Sequence, residues 1–349
     1  MSVAINNKLV TAVLKLAMVV LLVTVFYFGR VLLIPLVVAG LLAMLLDPVQ
    51  EKLKAWGLGN GLSIAVAMLL LLVFFGGIFA AIGQQAASFA DSWPETQRTL
   101  STQLNQLRTD YGLEALIPRL PTGGASSEQI IEQLPVSSSS VVSFMTSTFG
   151  LLGDFLLMLI YVILLLAHKY RIRKFVLQLM PDDERGTTHR TLNESVIVVQ
   201  RYLRGYLILI VILSVLYSIG FLVVGMDYAI LIAILVAVMA IIPYLGNIIG
   251  GLFAIAIAFS SGAGVSGVYG VLITMSIAQM LESYILMPLI VGDEVSINPL
   301  TTILCVVGMS ILWGPIGAVI AIPFFGIVRV ICSHVPSLQP YAYLLGQDK

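Results

Sequence analysis

The chain reads as an all-α, polytopic integral membrane protein, a helical bundle. Three observations predict this class. Of its 349 residues, 59% are hydrophobic and only 10% are charged, whereas soluble domains carry roughly 25% charge. The mean hydropathy is +1.03. The apolar residues also gather in runs that approach or exceed the roughly 20 residues needed to cross a bilayer. Side chains this apolar cannot all hide in one water-soluble core, so lipid is the solvent for most of the chain.

The N-terminal region, residues 1–83, is expected to hold three spans. Leu9–Phe28 follows Lys8 and contains Lys15. A second apolar run, Val31–Leu46, begins almost at once, so the first run reads as an uncleaved anchor and not as a removable signal. Val31–Leu46 contains Pro35 and Gly40 and is expected to pair with the first span as a hairpin. Leu62–Ile82 completes the region. Residues 84–148 form the one sizeable polar segment. In it Leu100, Leu104, Leu107 and Tyr111 recur at helical spacing, Pro118, Pro121, Gly123 and Gly124 end that helix, and Ser126 with Gln129 resembles a capping box.

The fourth span is expected at 149–167 and a basic loop at 168–205, where Leu192, Val196, Val199 and Leu203 make a helical stripe. Residues 206–332 are expected to form the transport core, with spans at Tyr206–Gly225 and Gly267–Ile290. Two further runs, Tyr228–Phe259 and Leu300–Ile331, are interrupted by proline and glycine. Counted as single crossings they give about eight spans; read as pairs of half-helices they change that count. Residues 333–349 form a tail.

Charge sets the orientation. Lys169, Arg171, Arg173, Lys174, Arg185, Arg190, Arg201 and Arg204 crowd the loop after the fourth span, and cytoplasmic loops carry the excess of Lys and Arg. That loop and both termini are therefore expected inside, and 84–148 outside as an extracytoplasmic helical loop. Zero net charge argues against a nucleic-acid partner.

No catalytic motif is present: no His-Glu-x-x-His, no Gly-x-Ser-x-Gly and no phosphate-binding Gly-x-x-x-x-Gly-Lys-Ser/Thr. His168, His189 and His334 are far apart in sequence, and Cys305 and Cys332 read as small buried hydrophobes. No enzyme activity, cofactor or metal is expected. The candidate chemistry lies elsewhere. Pro243-Tyr244-Leu245-Gly246-Asn247, running on to Gly251, and Trp313-Gly314-Pro315-Ile316-Gly317, running on to Pro323, break apolar runs. Proline removes a backbone donor and glycine permits φ > 0. The freed backbone groups are tolerated at membrane depth only where protein or a water-lined cavity satisfies them. Paired breaks point to a transporter's binding site; purely structural kinks are the alternative. Intramembrane acids are few. Asp154 enters its span near the outer end. Glu282 is deeper, beside Gln279, Ser283 and Tyr284, and an acid at that depth is a candidate for substrate or ion contact by default. A carboxyl that merely ties helices together is the alternative.

The stretch Leu281-Glu282-Ser283-Tyr284-Ile285-Leu286-Met287-Pro288-Leu289-Ile290-Val291-Gly292, with Asn298-Pro299-Leu300 after it, resembles the signature of the autoinducer-2 exporter family of bacterial permeases, which includes PerM-like proteins. Gly314, Gly317 and Ile322-Pro323 resemble its closing pattern, and Pro243-Tyr244-Leu245-Gly246 its Pro-x-x-Gly turn. Tyr202-Leu203-Arg204-Gly205, Pro35 and Asp47-Pro48 extend the resemblance over nearly the whole chain. Ser283 and Tyr284 replace the family's usual Gly-Asn. The resemblance implies a multi-pass permease of the bacterial inner membrane that exports a small polar solute of the autoinducer-2 kind, and a homo-oligomer with a pentamer as the candidate state. It leaves a sodium or proton antiporter using Glu282 as a rival, and a membrane scaffold as a third reading.

Overall fold

The computed structural model describes residues 7–77, 80, 83–84, 138–241, 245–258, 264–291 and 297–347. The expected helix over Leu100–Tyr111 and the capping box at Ser126 lie outside the described residues. The elements are α1 (Asn7–Phe28), α2 (Arg30–Ala55), α3 (Asn60–Gly77), α4 (Ser138–Gln178), α5 (Arg185–Val224), α6 (Ala229–Met239), α7 (Leu245–Ala258) and α8 (Gly264–Leu281). A π-helical segment, Glu282–Val291, continues α8; then come α9 (Pro299–His334) and a short α10 (Gln339–Leu345). Among the described residues six helices are long and apolar enough to cross a membrane. Large apolar side chains such as Phe28, Val223 and Leu289 are 78%, 84% and 79% exposed, an arrangement that suits lipid and not water.

The basic stretch is helical on both sides of a short turn. α4 runs through the fourth span to Gln178, and α5 starts at Arg185 and carries on through the next span without interruption. The Leu192–Leu203 stripe and the span after it are thus one helix.

The chain divides into two compact units. The first comprises Met1–Pro48, Phe155–Val199 and Val295–Lys349. Within it α1 meets α9: Trp313 Nε1 donates to the Phe26 carbonyl at 2.8 Å, and the two rings stack with centroids 5.4 Å apart. Lys169 pairs with Asp47, and His334 Nε2 lies 3.3 Å from Glu194.

α9 is not one straight crossing. Gly314 has φ 67° and ψ −154°, a non-helical conformation within the 36-residue span. Straight, 36 residues would extend about 54 Å. Yet the backbone N–H of Asn298 donates to the Leu345 carbonyl at 3.0 Å, and Ile297 bridges Gly346. Even fully extended, residues 335–345 reach at most about 40 Å, so the two ends of α9 can meet only if the helix turns back on itself. Gly317 shows the fold-back directly: a Cβ added there would sit 2.0 Å from the Met309 carbonyl oxygen. The Asn298 side chain closes the mouth of this hairpin, accepting from Thr301 N–H at 2.7 Å as the helix cap and donating to the Leu344 carbonyl at 2.7 Å. Of the two span counts the sequence allows, the half-helix one therefore holds for Leu300–Ile331.

The second unit comprises Val49–Asp154 and Gln200–Glu294. Its core is built from α5, α6, α7 and α8 around Leu213, Tyr217, Phe221, Ile232, Val236, Ala254 and Val271. With 11 and 14 residues, α6 and α7 extend only about 16 and 21 Å, short of a hydrocarbon core about 30 Å thick. They form an antiparallel hairpin at backbone contact, which glycine makes possible: a Cβ on Gly246 would lie 1.7 Å from the Met239 carbonyl oxygen, and one on Gly250 would lie 3.1 Å from Val236 Cγ1. The run Tyr228–Phe259 is thus also two half-helices.

Candidate functional site

Close helix packing inside the second unit brings a polar cluster together. α5 and α8 touch where Gly220 faces Thr274 and Gly270 faces Val224; added Cβ atoms would come within 2.0 and 2.4 Å of those side chains. α7 and α8 touch where Gly251 faces Met275. Side chains one helical turn apart share a face. Moving one turn along each antiparallel pair therefore carries Gly220 to Tyr217, Thr274 to Ala278, Gly251 to Asn247 and Met275 to Gln279, and Glu282 follows one turn beyond Ala278. The glycines set the spacing, and the polar residues follow from the register.

Asn247 Nδ2 donates to Gln279 Oε1 at 2.5 Å, and Gln279 Nε2 donates to Ser283 Oγ at 3.1 Å. The Asn247 amide also meets the Glu282 carboxyl, and Tyr217 lies near it on the face of α5 that packs against α8. Glu282 is 9% exposed and Tyr217 is 0% exposed. Gln279 and Ser283 are exposed, so the cluster has a buried floor and an open rim. Among the described residues, Tyr217 Oη, Asn247 Oδ1 and Glu282 Oε2 are buried with no hydrogen-bond partner. Glu282 is also the first residue of the π-helical segment. Such i→i+5 turns are rare and concentrate at functional positions.

The sequence-derived candidates divide accordingly. Glu282, Gln279, Ser283 and Asn247 come together, and Gly246 supplies the hairpin contact beside them. Tyr284 follows in the same segment but is 77% exposed. Asp154 is exposed on α4, and among the described residues no hydrogen bond or ion pair joins it to the cluster. Pro243 and Tyr244 lie outside the described residues. Gly314 and Gly317 belong to the α9 hairpin of the first unit, Gly314 at its turn and Gly317 at its close backbone contact. Tyr217 was not among the candidates. Its signal is a tyrosine in mid-span, where tyrosines usually prefer the membrane interfaces. No group of three or more His, Cys, Asp or Glu side chains suited to a metal occurs among the described residues.

A helical membrane bundle with discontinuous helices and a buried polar cluster is the architecture of a transporter or permease. The AI-2E family transporter model matches residues 16–337, and the chain belongs to that family. PerM of Escherichia coli strain K12, named as a candidate permease, is 28% identical over 93% of this chain and 94% of its own length. YrrI of Bacillus subtilis strain 168, named as a candidate transport protein, is 27% identical over 87% of each. The AI-2 transport protein TqsA of Escherichia coli is 19% identical over 96% of this chain and 95% of its own length. The chain is a multi-pass bacterial membrane transporter.

Proposed function

We propose that this transporter exports a small polar solute of the autoinducer-2 kind, as a secondary transporter or facilitator, and that the solute passes by the Glu282 cluster. The observation that carries the reading is the set of buried oxygens on Tyr217, Asn247 and Glu282 without partners at the apolar core that α5, α6, α7 and α8 build. Buried polar atoms are rarely left unpaired, and in a family of transporters an open polar cluster on broken helices is where a solute is expected. The name of TqsA supplies the solute class. Purified protein in proteoliposomes should release loaded autoinducer-2 faster than empty liposomes do, and efflux indistinguishable from protein-free vesicles would reject the reading.

Sodium or proton antiport is the second reading. One observation favours it: Glu282 is the one ionisable side chain in the buried polar set of the described residues. Glu282→Gln keeps size and hydrogen bonding and removes the titration. Under this reading the variant assembles but loses gradient-driven transport and its pH dependence. Parent-like transport across the pH range would remove Glu282 as the coupling residue. A homo-oligomer, with a pentamer as the candidate, belongs to the same proposal and is read from the mass of the complex in native mass spectrometry.

A further inference from the structure

The donor and acceptor inventory of the cluster narrows the solute further. The Asn247 amide nitrogen is engaged by Gln279 and faces Glu282, and the Gln279 amide nitrogen is engaged by Ser283. Among the buried atoms of the cluster, what stays open is Asn247 Oδ1, Glu282 Oε2 and Tyr217 Oη. An amide oxygen and an ionised carboxylate can only accept, while a phenol can donate or accept. With Glu282 ionised, its Oε2 and Asn247 Oδ1 are two acceptors that cannot satisfy each other, and the single Tyr217 hydroxyl proton can serve only one of them, so at least one further donor is needed. The helices that carry the cluster bring no cation beside it. α6, α7, α8 and the π-helical segment contain no Lys, Arg or His. On α5 the basic residue nearest Tyr217 is Arg204, about 20 Å away along the helix axis.

We infer that the Tyr217–Asn247–Glu282 cluster selects solutes that donate hydrogen bonds and carry no negative charge, and that it rejects phosphorylated or carboxylated forms of the same carbon skeleton. This rests on the transport reading above and adds to it a charge rule and a residue, Tyr217. The ligand class is a neutral polyol or an amine-bearing polyol. Its hydroxyl or ammonium protons point at Asn247 Oδ1 and Glu282 Oε2, and one of its oxygens or hydroxyls meets Tyr217 Oη. An anion in the same place meets the ionised Glu282 carboxylate, and α6, α7, α8 and the π-helical segment offer it no cation.

The test uses full-length protein in proteoliposomes, with autoinducer-2 flux as the readout and ribitol, its 1-amino-1-deoxy form and ribitol 5-phosphate as competitors. Ribitol and the amine should compete, and the phosphate at least about tenfold more weakly, because like charges a few ångströms apart in a desolvated site repel by more than the equivalent of a factor of ten. Tyr217→Phe should weaken ribitol by about fivefold to tenfold, the loss of one hydrogen bond, and leave the phosphate-to-ribitol ratio unchanged. Glu282→Gln should collapse that ratio. Phosphate competing as well as ribitol in the parent, or a ratio unchanged in Glu282→Gln, overturns the inference. If the parent moves no autoinducer-2, the transport reading fails by itself, and the charge rule is then read from thermal shifts of the purified protein. Stabilisation by ribitol and the amine but not by the phosphate retains the rule. No shift with any of them means that water alone fills the cluster, and the rule falls.

Discussion

Gly246→Ala puts the α6–α7 hairpin to a quantitative test. The new methyl group would sit 1.7 Å from the Met239 carbonyl oxygen, 2.4 Å from its carbon and 2.9 Å from Ala240 Cα. All three are backbone atoms, so no rotamer change relieves the contact. Ordinary contact begins at 3.4 Å, so the two helices must separate by up to about 1.7 Å at this point, the difference of the two distances. That separation also loosens Gly250 against Val236, one turn along. Overpacking costs about 1–3 kcal/mol and occasionally more. A clash against backbone at this distance belongs at the top of that range, so we expect about 3 kcal/mol. At roughly 2–4 °C per kcal/mol, the midpoint should fall by about 6–12 °C. The matched control is Gly308→Ala, a helical site with nothing within 4 Å of the added Cβ. It should be neutral or stabilising by about 0.5–1 kcal/mol. Thermal unfolding of detergent-purified protein, followed by monodisperse recovery on size exclusion, measures both. A Gly246→Ala midpoint equal to that of the parent would show that the hairpin does not close at Gly246, and the register that places Asn247 would fail with it.

Three more outcomes follow from named contacts. Gly314→Ala meets no steric neighbour, but its φ of 67° with ψ −154° is a conformation nearly reserved for glycine, so a loss of about 1–3 kcal/mol should appear in the same unfolding assay; an unchanged midpoint would mean the turn is made elsewhere. Trp313→Phe keeps the stack on Phe26 and removes the Nε1–H bond to its carbonyl, and should cost about 1 kcal/mol, clearly less than Trp313→Ala. Single cysteines at Thr188, Ser296 and Gln347 should all label from the cytoplasmic side in intact cells and inverted vesicles, and one at Ser101 from the opposite side; labelling of Ser296 and Gln347 from opposite sides would make α9 a true crossing.

Much of the fold was legible because its determinants are local. Apolar run length marks a span wherever it occurs, and Pro and Gly break a helix by their own stereochemistry, so the breaks at Gly246 and Gly314 stood out. What the breaks do was not legible. A glycine that bends a helix and one that lets another backbone approach look alike in sequence, and only the Met239 and Met309 carbonyls distinguish the packing role of Gly246 and Gly317 from the conformational role of Gly314. The candidate site was legible in part for a related reason. Glu282 announces itself as an acid in an apolar run, and Gln279 and Ser283 come with it at helical spacing. Tyr217 arrives from another helix, and Asn247 could be tied to Glu282 only once the glycine contacts fixed the register of α5, α7 and α8. Asp154 had the right chemistry at the wrong place, because depth along a span says nothing about which neighbours a side chain meets.

The contact between Trp313 and Phe26 spans 287 positions of the chain, and this bears on how the protein is made. Synthesis proceeds at about 5–20 residues per second, so roughly 15–60 seconds separate the emergence of α1 from that of the helix that will cover its Phe26 end. The second unit's core, by contrast, is gathered from one continuous stretch, Leu209 to Ala278, and its pairings are between neighbours in sequence. Contacts between sequence neighbours form fast and distant ones form late. The polar cluster can thus take shape while the ribosome is still at work, whereas the first unit stays open until α9 has folded back. During that interval lipid, not protein, shields Phe26, and a substitution on this seam, such as Trp313→Ala, would show as slowed assembly in pulse-chase proteolysis before it showed as altered transport.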